Sequence, residues 1–218
     1  MHLEFLVEDQ SGKLMLNQLL PSILGTRHTF NVHSYKGIGR IPKGMKASSD
    51  LSRRILLDQL PRLLAGYGLA FAHYGPAYHA AVVVVCDLDN RDKNNFETEL
   101  ANIAARAVPC PNHAFCLAIE EGEAWLLGDL PAIKAAYPRA KVAVLQRYAN
   151  DSVCGTWEVL ADAVYPGGAA ALQALGWMAV GAEKSKWAQE ITPRMEPDFN
   201  QSPSFARFIS TVSGMANG

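Results

Sequence analysis

Charge is what this sequence has least of. Only 19% of its 218 residues are charged, against about 25% in average usage. Neither sign dominates, because 20 Lys+Arg against 21 Asp+Glu leave a formal net charge of −1. That balance excludes a cationic surface spread over the whole molecule. Any anionic partner has to be held by a local basic patch or by metal ions. Long apolar runs are missing too. The longest, residues 77–86, is interrupted by Tyr78 and His79 and falls well short of the roughly 18–20 residues that span a bilayer. The first apolar run stops at Glu8 with no basic flank, too short for a secretory signal. These absences predict a cytoplasmic protein without membrane contact. Cysteine is sparse as well: Cys86, Cys110, Cys116 and Cys154 contain no Cys-x-x-Cys. Cys110, His113 and Cys116 do spell Cys-x-x-His-x-x-Cys, which with Cys154 matches a Cys3His zinc pattern. We favour the plainer reading of one thiol buried on a strand and one in a loop.

What is present is apolar and periodic. With 49% apolar residues the chain is too hydrophobic for disorder, and it is long enough to bury a core as one domain. Residues 3–7 read as an opening strand, and residues 14–24 as a helix with Ser11 as candidate N-cap. Residues 29–33 read as a second strand. The Gly- and Lys-rich stretch 34–46 reads as a loop. Residues 51–66 follow helical spacing, with Pro61 expected to kink or split them. Residues 80–86, Ala-Ala-Val-Val-Val-Val-Cys, are apolar on both faces, as a central strand of a parallel sheet is. A helix over 96–107 and a strand over 114–119 follow. Beyond that the pattern is helical, over 121–127, 131–136, 157–164, 169–175, 182–191 and 205–212. Strands alternating with helices predict an α/β fold: a Rossmann-like, mostly parallel sheet flanked by helices, with a helical C-terminal part. The expected division is an α/β core over 1–130 and a helical extension over 131–218, packed together as one unit.

Three predicted strands end in acid. The first runs into Glu8-Asp9, the central one into Asp87-Leu-Asp89-Asn-Arg91-Asp92, and the third into Glu120-Glu121-Gly122-Glu123. In an open parallel sheet ligands bind at the carboxyl ends of the strands, so all three clusters belong on one edge. Carboxylates that close repel one another unless a cation joins them, and hard divalent ions suit an all-oxygen donor set. Helix capping explains one such cluster easily but three poorly. The Asp-x-Asp is no EF-hand, since Arg91 and Asp92 stand where that loop needs an oxygen ligand and a glycine. It resembles the start of haloacid-dehalogenase phosphatases, but Arg91 replaces their threonine and Glu8 would go unexplained. Nucleotide-sugar transferases also pair Asp-x-Asp with a metal, but without a catalytic Glu on the opening strand. Ser11-Gly12-Lys13 lacks the first glycine of a phosphate loop, and Leu14 takes the place of its Ser/Thr.

The arrangement resembles the Toprim fold of topoisomerases, primases and overcoming-lysogenization-defect nucleases, which place a Glu after the first strand and Asp-x-Asp after a later, very apolar one. More closely, the chain is similar to a bacterial domain-of-unknown-function family, DUF4276, grouped with Toprim-like proteins. The matching strings are Phe5-Leu-Val-Glu8, His33-Ser-Tyr-Lys36-Gly37, Asp87-Leu-Asp89, Ala118-Ile-Glu120-Glu-Gly-Glu123-Ala-Trp125-Leu-Leu-Gly-Asp129 and Ser202-Pro-Ser-Phe205-Ala-Arg-Phe208. The family often follows its first Glu with Gly, where this chain has Asp9. The resemblance implies metal-dependent phosphoryl transfer on nucleic acid. Asp87 and Asp89 would hold Mg²⁺ or Mn²⁺, Glu8 would act as ligand or general base, and Glu120 and Glu123 would complete a second metal position. It further implies an anti-phage nuclease working with an ATPase partner on DNA.

His33, Lys36, Arg40, Lys43 and Lys46 lie within fourteen positions among glycines. The loop follows the second strand, so it should emerge on the acidic edge. Glycine lets backbone N–H groups approach phosphate, and Lys/Arg supply charge. These residues are the expected substrate clamp, against the alternative of a solvated loop. Two other functions remain open at this level: a phosphohydrolase on nucleotides or other small phosphorylated substrates, and a non-catalytic nucleic-acid-binding or assembly subunit. Oligomeric state is open as well, a homo-oligomer included.

Overall fold

The computed structural model describes residues 1–35, 56–152 and 155–217. Four strands, β1 (His2–Val7), β2 (Thr29–Ser34), β3 (Ala80–Asp87) and β4 (His113–Ala118), form a sheet in the order β2-β1-β3-β4. Every pairing is parallel, and β1 sets the register: Leu3 faces Phe30 on one side and Ala81 on the other. β1 and β3 are central and buried almost throughout, which is why they read as unbroken apolar runs. β2 and β4 are the edges of the described sheet, and β2 is the more exposed of the two.

Helices cover both faces. α1 (Gln10–Leu24) lies on one, while α2 (Leu56–His73) and α3 (Lys93–Arg106) lie on the other. Strand alternation divides the core accordingly: Leu3, Phe5 and Val7 pack with α1, and Leu6 packs with Leu56, Leu60 and Leu64 of α2. The α/β reading of the sequence therefore holds. Pro61 sits within α2 without splitting it, because Leu57, Leu60 and Leu64 are buried to either side of it and packing on the sheet outweighs one missing hydrogen bond.

After β4 the chain is helical: α4 (Glu123–Leu127), α5 (Leu130–Ala136), α6 (Val142–Leu145), α7 (Thr156–Val164), α8 (Gly168–Ala174), α9 (Trp177–Ile191) and α10 (Pro203–Asn217). The four-residue α6 has no counterpart in the sequence-based reading. Trp187 and Ile191 of α9 and Phe205, Phe208 and Val212 of α10 are fully buried in the same cluster as Phe5 and Leu16. Each large apolar side chain so buried contributes about 1.5–3 kcal/mol. Among the described residues no helix is long and apolar enough to cross a membrane.

Candidate active site

The chain leaves β1 for β2 on one side, then returns to place β3 on the other side of β1. The carboxyl ends of β1 and β3 therefore flank a topological switch point, where connections diverge and a crevice forms. Glu8 follows β1 and Asp87 closes β3. The Asp87 N–H donates to Glu8 Oε2 at 3.4 Å. A small cleft opens there, lined by Glu8, Asp9, Gly12, Asp87, Gly122 and Glu123 among others. Asp9, not Ser11, caps α1: its Oδ1 accepts from Gly12 N at 2.8 Å, and the Ser11 hydroxyl donates to the same carboxylate. Asp9 has an extended backbone with φ −138°, so the position does not require glycine.

The turns beyond β3 and β4 are bent tightly. Asp89 and Glu120 both have positive φ, +50° and +70°, a conformation that L-residues reach at a cost. Asp89 N donates to the Glu120 carbonyl at 2.9 Å, which ties the two turns together. Asp89 Oδ2 stands 3.9 Å from Arg91, which also lies over the Phe96 ring.

Acid predominates in the cleft. Burial first, and then the Glu8 charge, push the Asp87 carboxyl well above its ordinary value, with Lys184 pulling the other way. Glu123 is 2% exposed. Burial lifts it to about 7, with Lys184 opposing and Glu121 and Asp9 adding. Lys184 reaches in from α9, its Nζ 2.9 Å from Glu123 Oε2 and 3.5 Å from Glu121 Oε1. Burial works against its ammonium, but Glu123, Glu121, Asp87 and Asp9 outweigh that and hold the proton firmly. Lys184, Asp87 and Glu123 all shift upward, the lysine because of the acids around it and the two carboxyls chiefly because of burial.

The predicted residues divide. Glu8 and Asp87 come together, with Glu123 across the cleft and Asp89 on the adjoining turn. Glu120 turns away: its carboxylate accepts from Gly155 N and, at 3.0 Å, from Thr156 N, so it caps α7. Glu123 is engaged by Lys184. His33 lies on β2 with its Nε2 2.7 Å from Glu4 Oε2, in a partly exposed cluster where Glu4 also meets His2 and Asn31. Lys36, Arg40, Lys43 and Lys46 lie outside the described residues. Among the described residues no three of His, Cys, Asp and Glu stand together as a ready metal site. Asp92 and Asp129 are helix caps, of α3 and α5.

Sequence reasoning missed Asp9 and Lys184. A signal for Lys184 existed. Val180, Lys184, Trp187, Ala188 and Ile191 fall on one helical stripe, and the other four are buried. A lysine on an apolar stripe needs an acidic partner.

Compared with family models, the chain matches "Domain of unknown function (DUF4276)" over residues 7–213. It belongs to that family. No curated protein and no solved structure matches it.

Two of the DUF4276-like strings meet in a seam beneath α10. Trp125 Nε1 donates to Ser204 Oγ at 2.9 Å, and Asn200 Nδ2 donates to the Trp125 carbonyl at 2.7 Å. Ser202 Oγ and Ser204 N donate to Asp151 at 2.9 and 2.6 Å. Gly128 is required there, since a Cβ would overlap Asn200 Oδ1 and Ser202. The Trp125 and Ser202–Phe205 strings thus dock the C-terminal helix of this DUF4276 protein. The cysteine pattern is divided by β4: Cys116 is buried with the α1-side core, whereas His113 meets edge-on the ring of Phe115, which packs against the α2-side core. Cys154 lies outside the described residues.

Proposed function

We propose that this DUF4276 protein is a Toprim-like, metal-dependent nuclease that cleaves phosphodiester bonds in DNA. One observation carries the reading: the Glu8 carboxylate meets the Asp87 backbone at the switch point of a parallel sheet, inside an acidic cleft. The donor set is all oxygen, with Glu8, Asp9, Asp87 and Glu123 lining one cleft, which fits a hard divalent ion such as Mg²⁺ or Mn²⁺. Glu8, Asp87 and Asp89 would hold it. When bound, such an ion polarises the phosphoryl oxygen and activates water. Glu8 serves as ligand or as the base that takes the water's proton. His33 lies on β2, the strand that leads toward the basic segment carrying Lys36, Arg40, Lys43 and Lys46, and these residues clamp the phosphate backbone.

The neutral net charge offers little general attraction for a duplex. It suits an effector that borrows affinity from an ATPase partner, as an anti-phage defence system would provide. The test is plasmid DNA incubated with the protein and Mg²⁺ or Mn²⁺, alone and with the product of any adjacent ATPase gene. Nicked or degraded plasmid, abolished by chelator, is expected. Intact plasmid at high protein in every arm sinks the reading, and phosphate release from a nucleotide panel in its place would favour a phosphohydrolase.

A further inference from the structure

Residues 163–182 contain no charged side chain, although 19% of the chain is charged. They end α7, form α8 and begin α9. At the corner where α8 gives way to α9, Leu175, Trp177 and Met178 are 65%, 72% and 91% exposed. A contiguous apolar patch of this kind on a soluble protein marks an interaction site. α9 continues the same surface. Val180, Trp187, Ala188 and Ile191 form its buried stripe. On the opposite face the helical repeat lines up Met178, Gly181, Ala182, Ser185 and Gln189, all of them uncharged. Glycine inside a helix is costly relative to alanine, and nothing within the chain requires it at Gly181, where a Cβ would meet open space. A second helix lying close across this face would require it.

We propose that this face joins two copies of the chain about a twofold axis, with the two α9 helices crossing at Gly181 and Ala182. The proposal does not depend on the nuclease reading. Large and small side chains share the patch. In an isologous contact Trp177 and Met178 of one copy therefore meet Ala174, Gly181 and Ala182 of the other, and the reverse. An uncharged face also sets no like charges against each other when it meets itself. A charged partner would find no ion to pair with there. A lipid surface would find no Lys or Arg of the kind that interfacial helices present to headgroups. The area suffices. At about 200 Å² for a large side chain, Leu175, Trp177 and Met178 alone leave roughly 450 Å² open. The outer faces of α8 and α9 extend this toward the ~800 Å² per partner of a standard interface. α9 also carries Lys184 to Glu123, so the contact braces the helix that reaches the cleft in both copies.

Sedimentation equilibrium of the full chain over a wide concentration range is the test, with Ala182→Glu, Gly181→Ala and, as a control on another exposed apolar residue, Leu69→Asp. The wild type should reach twice the 23.7 kDa of one chain. Ala182→Glu sets two carboxylates at the axis and should weaken the dimer at least a hundredfold. Gly181→Ala should weaken it several-fold although alanine favours the helix, and Leu69→Asp should leave it unchanged. A wild type that stays monomeric at every concentration overturns the proposal, and its co-sedimentation with phosphatidylcholine vesicles would make a membrane the occupant instead. A dimer that survives Ala182→Glu overturns it as well, since the copies then meet elsewhere. Should Ala182→Glu fail to fold, peroxide oxidation of the wild type decides. Met178 should oxidise several-fold more slowly where the dimer predominates than in dilute solution, and equal rates defeat the proposal.

Discussion

In the seam beneath α10, the Asp151 carboxylate receives Ser202 Oγ, Ser204 N and Ser204 Oγ, while Ser204 Oγ in turn receives the Trp125 indole N–H. In the cleft at the ends of β1 and β3, Glu8, Asp9, Asp87 and Glu123 line the walls, and Lys184 reaches in to Glu123. Both regions are built from short polar strings of the kind that mark the family, and both are framed by acids with positive φ: Asp151 in the seam, Asp89 and Glu120 beside the cleft. The difference is how many carboxyl groups share the donors. In the seam one carboxylate is met by three, and polar residues lock elements together, as satisfied buried networks do. In the cleft several carboxyl groups crowd around Lys184, burial raises Asp87 and Glu123 in spite of it, and perturbed carboxylates in a cleft point to chemistry.

The sharpest way to break this comparison is to neutralise one acid on each side. Asp87→Asn or Glu8→Gln should cut nuclease activity by on the order of a thousandfold, about 4 kcal/mol of transition-state stabilisation. The melting temperature should hold or rise, since burial and the Glu8 charge make the Asp87 carboxylate costly to ionise. Plasmid cleavage and a thermal melt on the same sample check both halves. Full activity in either variant moves the chemistry elsewhere. Asp151→Ala should do the reverse: it strips the acceptor from Ser204 N and the two serine hydroxyls, costing about 2–3 kcal/mol of stability. Activity per folded molecule should persist. A denaturant titration showing no loss would mean that α10 is held by its apolar face alone.

Gly128→Ala probes the same seam by volume instead of charge. The added methyl would collide with Asn200 and Ser202, and overpacking of this kind costs about 1–3 kcal/mol. Asn200→Ser in the same chain should recover part of that by making room. Stability that is unchanged in Gly128→Ala would show that the chain between α9 and α10 can shift freely.

The contrast also bears on what the sequence can reveal. The acids at the strand ends were legible because a parallel sheet forces successive strands to finish on one edge, so Glu8 and Asp87 could be placed from β1 and β3 alone. Glu120 was not. It follows its strand as regularly as the others, but a φ of +70° and two N–H groups at the start of α7, 35 and 36 residues later, turn its carboxylate away. Lys184 was visible only as a lysine on an apolar stripe, because its partners are 61 and 63 residues distant and depend on how α9 crosses α1. Asp9 was hidden for a smaller reason: Asp and Ser both cap helices well, and choosing between Asp9 and Ser11 requires the backbone. Local periodicity determines strands and helices, whereas side-chain destinations at their ends are decided by segments far away in the chain.

Glu4 makes the finest distinction, because it is an acid outside the cleft whose donors do answer it. Burial alone would raise its carboxyl, but hydrogen bonds from His2, Asn31 and His33, together with the His33 charge, outweigh that and bring it below its ordinary 4.5. A carboxyl depressed on folding adds stability that is present above pH 4.5 and lost as pH falls through its lower folded value. The contribution should stay under about 1 kcal/mol, since His33 is partly exposed and solvent screens the pair. Glu4→Gln should therefore lose a little stability at pH 6 and converge with the wild type as acid titrates the latter, as seen by melts taken stepwise from pH 6 to pH 3. Asp87→Asn should diverge in the opposite sense, gaining on the wild type as pH rises, because its raised carboxyl makes ionisation a cost instead of a gain. If both variants showed the same pH slope, the distinction between a carboxyl lowered by its donors and one raised by burial would fail at its most elementary level.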